Sequence, residues 1–140
     1  MKKILVITFL LHCIQTYCQT DSISMEVSYS KNKIPESIYN YLDIKSINDI
    51  ADPNGDWSAG CTPINNWPRR KFHWMAMDKN GNIAVLISTG GIGVYTNCYV
   101  INWDKGIARK YNGIELNGKL DYKEVYKLIK EDKLEFDQLK

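Results

Sequence analysis

The stretch KFHWMAMDKNGNIAVLISTGGIGVYTNCYVINWDKGIARKYN, Lys71 to Asn112, decides the fold. Its apolar and aromatic residues come in four strand-length runs. Asn80-Gly81 separates the first two, Gly90-Gly91-Ile92-Gly93 the next two, and Asp104-Lys105-Gly106 precedes the last. Each turn supplies residues that tolerate positive φ, so the pattern predicts a four-strand antiparallel meander. In the first run Phe72, Trp74 and Ala76 face one way and His73, Met75 and Met77 the other. Both faces are largely apolar, as is Ile83 to Thr89, so these two strands are expected in the middle of a sheet covered on both sides. Val94, Thr96, Cys98 and Val100 alternate with Tyr95, Asn97, Tyr99, Ile101 and Trp103. The last run, Ile107 to Tyr111, carries Arg109 and Lys110 and suits an exposed edge.

Working outward, Ser22 to Ser30 alternates strictly, with Ile23, Met25, Val27 and Tyr29 opposite a row of Ser and Glu, the pattern of a half-buried strand. Pro35-Glu36 followed by Ile38, Tyr41 and Leu42 at helical spacing predicts a short amphipathic helix. Ser46 to Ile50 can form one further helical turn. On the C-terminal side, Asp121 and Glu124 form a capping-box pattern ahead of a stripe of Tyr122, Val125, Tyr126 and Ile129, with Lys123, Lys127 and Lys130 opposite. The expected class is α+β: an antiparallel meander sheet of about five strands packed against a C-terminal helix and a short N-terminal one.

The chain has 140 residues, enough for one domain with an ordinary core. Met1-Lys2-Lys3 ahead of Ile4 to Leu11 is a charged segment followed by a short apolar one, the pattern of a secretory signal peptide. The apolar run is too short to span a bilayer, which takes about 20 residues. Thr16 and Cys18 sit at the small-residue positions of a cut before Gln19, so residues 1–18 are expected to be removed and 19–140 to form the exported domain, periplasmic or extracellular. A lipid-anchored N-terminus fits less well, because Cys18 follows the bulky Tyr17 and Cys13 follows His12. Without Lys2 and Lys3 the Lys and Arg number sixteen, matching the sixteen Asp and Glu. A balanced charge gives no electrostatic case for nucleic acid or an anionic membrane surface.

Two cysteines then remain, Cys61 and Cys98, and an oxidising compartment makes a disulfide their simplest state. It would close a loop of about 37 residues, for which the chain-entropy model gives roughly 4 kcal/mol. The competing reading is enzymatic, with Cys61 as a nucleophile, His73 as its base and Asp56 or Asp78 orienting the ring. No metal site or cofactor motif is found. Asp52-x-Asn54-x-Asp56 starts like a calcium loop but has Trp57 where Gly is needed, and Asp78-x-Asn80-x-Asn82 reads as a hairpin turn. The glycines at 90, 91 and 93 join two strands and open no helix, so they make no phosphate cradle.

The irregular segment from Asp43 to Arg70 spends Trp57, Trp67, Arg69 and Arg70 outside regular structure, and connections of this length are commonly functional. Trp and Arg are enriched in binding hot spots, so these four are the candidate binding residues. The favoured function is a non-enzymatic protein-binding module, for instance an immunity or inhibitor protein. The alternatives are the small secreted enzyme using Cys61 and His73, and a carbohydrate or peptide binder using Trp57 and Trp67.

Overall fold

Asp78 makes the first turn of the sheet. Its Oδ1 accepts from the Asn80 and Asn82 backbone N–H groups at 2.8 and 2.9 Å, and its Oδ2 accepts from Asn82 Nδ2 at 2.7 Å. Gly81 takes the positive φ of 76° that the reversal requires. The turn joins β3 (Arg70–Asp78) to β4 (Asn82–Thr89) in a computed structural model that describes residues 25–64, 66–102, 105–112 and 121–139. The expected signal peptide, residues 1–18, lies outside them. The meander continues through β5 (Tyr95–Asn102) and β6 (Ile107–Tyr111), every pair antiparallel, with Gly106 at φ 61° turning the last hairpin.

Three further strands complete the sheet. β1 (Met25–Ser28) pairs antiparallel with the end of β3, and the two-residue β2 (Ile50–Ala51) pairs parallel with its start, so both lie along one edge of β3. β7 (Phe136–Leu139) pairs with β6, which is therefore an inner strand rather than the expected edge. Among the described residues the sheet thus has seven strands, more than the five expected, and one α-helix, α1 (Tyr122–Lys130). Where Ile34 to Leu42 predicted a second helix, a 3₁₀ turn at Glu36–Ile38 is followed by irregular turns. The Leu42 N–H is shared between Ile38 and Tyr39 carbonyls, and Ile44 N–H reaches back to Tyr39. Asp43, at φ 52°, leaves helical geometry and stops propagation. Ser46 to Ile50 does form one 3₁₀ turn, closed by a reciprocal cap between Ser46 and Asp49.

The sheet is covered on both faces, as the apolar runs require. On one face Ile38, Leu42 and Ile50 from the N-terminal segment are fully buried against Phe72, Val85, Ile87 and Ile101. On the other, Val125 of α1 packs among Trp74, Ala76, Leu86, Cys98 and Tyr111. Each full burial of such a side chain is worth about 1.5–3 kcal/mol. A bulge between Phe72 and Trp74 overturns the simple alternation expected in β3. Phe72 and Met75 face the N-terminal layer, whereas Trp74 and Ala76 face α1. His73, at the bulge, joins the helix-side face, where its ring meets Ser88.

Candidate functional site

The segment between β2 and β3 is organised by Ser58, which is wholly buried. Its N–H donates to Pro68 O at 2.9 Å, closing residues 58–68 into a compact Ω-loop, and its Oγ donates to Thr62 O and accepts from Ile64 N–H inside it. The closed loop is then fastened to the β4–β5 hairpin. Gly90 N–H donates to Arg69 O at 2.8 Å and Gly91 N–H to Ala59 O at 3.3 Å. Two connections far apart in sequence therefore behave as one end of the sheet. They present Ile64, Trp67, Ile92, Val94 and Tyr95 to solvent, from 39% exposed for Trp67 to 96% for Ile92.

Arg69 and Arg70 divide in role. Arg70 opens β3, pairs with Thr89 and Ile50, and turns its guanidinium onto Asp43, with Nη2 to Oδ2 at 2.7 Å and Nη1 to the Asp43 carbonyl. That pair ties the N-terminal layer to the sheet and makes Arg70 chiefly a positioning residue. Arg69 remains exposed, with Nη2 donating to Cys61 O at 2.8 Å. The ion pair also separates two clefts. One, of ≈720 Å³, runs between Lys45, Trp67, Arg69 and Gly90. The other, of ≈470 Å³, lies beside Tyr41, Tyr95, Asn97 and Lys110. In the first, the Asp49 carboxylate already accepts from Lys45 and Ser46 N–H groups, and Asp43 is engaged by Arg70. Lys45 and Arg69 are the cations of that cleft without a carboxylate partner among the described residues. Trp57 is half-buried and Trp67 is exposed.

The expected disulfide is not formed: both cysteines are free. Cys98 points from β5 into the core under α1, beside Leu86 and Tyr111 in register, while Cys61 is exposed on the Ω-loop. Burial pushes the Cys98 thiol up to about 12, which keeps it neutral and unreactive. Of the residues in the enzymatic alternative, Cys61 and Asp56 are exposed, and His73 and Asp78 have other partners. His73 Nε2 meets Ser88 Oγ at 2.7 Å, and the Asp78 carboxylate is taken up by its own turn. Ser88 Oγ is in turn 2.7 Å from Thr96 Oγ1. The sequence does not show this His73–Ser88–Thr96 chain, because it depends on the register in which β3, β4 and β5 pair. With Ser88 1% exposed, its hydroxyl braces three strands and is closed to a substrate. Among the described residues no group of acidic, His and Cys side chains could hold a metal ion, and no helix is long and apolar enough to cross a membrane.

Compared with protein-family models, curated proteins and solved structures, the chain matches none.

Proposed function

We propose that the chain is an exported, non-enzymatic protein-binding module, of the immunity or inhibitor kind, and that it meets its partner through the end of the sheet formed by the Ω-loop and the β4–β5 hairpin. The observation that carries this reading is the docking of those two loops through Gly90 and Gly91, which holds five large apolar side chains in solvent on a preorganised surface. Exposed apolar clusters rimmed by charge are the usual anatomy of an interface. Preorganisation lowers the ordering cost that a flexible loop would incur on binding. Trp67 is the central anchor, with Tyr95 beside the cleft and Arg69 and Lys45 supplying a positive rim for partner carboxylates or carbonyls.

The test is a set of single variants carried through both thermal unfolding and partner capture from extracts of the native compartment, with the captured protein identified and its affinity measured. Arg69→Ala, with an exposed side chain, should leave the melting temperature nearly unchanged, Trp67→Ala should lower it modestly because the ring is only 39% exposed, and each should weaken binding by about 2 kcal/mol, roughly thirtyfold. Arg70→Ala should behave differently and lose about 1 kcal/mol of stability with its Asp43 pair. If Trp67→Ala and Arg69→Ala bind the partner at full strength, the interface is elsewhere.

A further inference from the structure

The face of the sheet under α1 is not filled. Across it, Val27, Ala76, Ala84 and Val100 stand side by side in register on β1, β3, β4 and β5. The two central positions are alanines, so the row is lowest where the helix crosses. The next row, Trp74, Leu86 and Cys98, is taller at Trp74 and Leu86, which form a wall. Tyr122, Val125, Tyr126 and Ile129 of α1 bridge the step from above, leaving a cavity of ≈170 Å³. Ala84 reports the void from below: it sits on an inner strand with both neighbours paired, yet it and Val100 remain partly exposed.

The chemistry of the walls is apolar. The Cys98 thiol is neutral. The polar groups at one end, Asp78 and Asn82, are spent on the β3–β4 turn, and Asn82 Oδ1 accepts from Asn102 Nδ2 at 2.6 Å. Apart from Tyr122 and Tyr126, aromatic rings that carry a hydroxyl, the remaining lining is apolar, which favours an uncharged guest. Apolar cavities of about 150 Å³ stay dry and take benzene-sized molecules. We propose that this partly open cavity is a binding site for a small uncharged apolar molecule, a single aromatic ring or a short hydrocarbon chain, held between Ala76 and Ala84 of the sheet and Tyr122, Val125 and Ile129 of the helix. It is distinct from the interaction surface at the end of the sheet and does not depend on it.

The probes are toluene and indole, titrated into the full chain while the methyl resonances of Ala76, Ala84, Val100, Val125 and Ile129 are followed by NMR. Saturable shifts confined to those methyls, with the methyls of Ile64 and Ile92 unmoved, are the expected result. Ala84→Leu, which raises the floor into the void, should then weaken binding about tenfold or more while holding or raising the melting temperature. The proposal is overturned if neither probe shifts those methyls up to its solubility limit, or if Ala84→Leu folds and binds as tightly as the parent. Should Ala84→Leu fail to fold, the wild-type titration alone still decides between the two.

Discussion

At Gly90 the sequence and the structure assign one glycine two different jobs. As part of a Gly-rich turn it reads as a residue chosen for positive φ, yet the described glycines with positive φ are Gly81 and Gly106. What Gly90 provides is the absence of a side chain. A β-carbon there would come within 2.8 Å of Ala59 Cα and 2.9 Å of its carbonyl, and closer still to Ser58 O, all of them backbone atoms that cannot swing aside. Gly90→Ala should therefore lower unfolding free energy by about 1–3 kcal/mol, the range for overpacking, and free the Ω-loop from the hairpin. Gly91→Ala, where the nearest atom beyond its chain neighbours is Gly93 O at 4.0 Å, is the matched control and should be tolerated. Denaturant unfolding of the two variants measures the difference. His73 carries a second residue-scale expectation. Burial and then the nearby Lys71 charge lower its pKa, so the unfolded chain binds a proton more readily than the folded one. The stability this contributes is complete above about pH 6.5, the unfolded value, and is lost as pH falls through the lowered folded value. Asp78 adds a separate loss at lower pH. Burial alone would raise its pKa, but the Asn82 and Asn80 hydrogen bonds and the Lys79 charge outweigh it, so its contribution persists until pH falls below about 4. Melting curves should fall between pH 7.5 and 5 in the parent and flatten over that interval in His73→Gln, which keeps a donor for Ser88.

Among the elements, α1 was legible from its residues because its signals are local. Asp121 accepts from the Lys123 and Glu124 N–H groups at 2.9 and 3.0 Å, and the stripe headed by Val125 lies against the sheet. Asp121→Ala should cost about 1 kcal/mol, read as a lower denaturant midpoint at unchanged slope. The β-turns were legible for the same reason: Asp78, Gly81 and Gly106 do in the structure what their types imply. Three features were not legible, and each depends on tertiary context. The bulge at His73 shifts every β3 side chain from Trp74 on by one position, and nothing in FHWMAM marks it, since both faces of that strand are apolar. The run Ile38 to Leu42 has helical spacing, but its apolar residues are held by Phe72, Met75 and Ile87 across the interface, and packing sets the backbone there. β7 alternates too weakly to be read alone. Its contacts are tertiary: the Tyr111–Phe136 ring pair and the Arg109 guanidinium over Phe136 on β6, the Asn112–Asp137 hydrogen bond just past β6, and Leu139 against the core on the N-terminal side.

On the scale of the whole molecule, a sheet covered on both faces explains why Cys61 and Cys98 could be read as partners and yet are not. Sequence spacing and compartment favour a bridge, but neither says which way a β-strand side chain points. Cys98 shares its face with Thr96 and Val100, under the helix, and Cys61 belongs to a loop closed by Ser58 outside the sheet. The candidate binding residues were legible by composition, since large side chains in irregular backbone stand out. Their separate roles were not, because the Asp43–Arg70 pair spans 27 residues and only the folded chain brings it together. The two thiols also offer a measure of how the layers hold. In native protein prepared without residues 1–18, and so without Cys13 and Cys18, one equivalent of a maleimide should react promptly under non-reducing conditions at Cys61, which is exposed. Cys98, wholly buried and with its thiol raised to about 12, should react only when α1 leaves the sheet or the chain unfolds. Followed against denaturant, labelling of Cys98 then reports the opening free energy of the helix-side layer, and comparison with loss of tryptophan fluorescence tests whether that layer opens alone. Coincident transitions mean that both layers and the sheet unfold as one cooperative unit. Earlier exposure of Cys98 means that α1 detaches first, the direction expected of a layer whose contact with the sheet is interrupted by a cavity. Two protected thiols in the native, non-reduced protein would instead restore the disulfide and require Cys98 to turn out of the core.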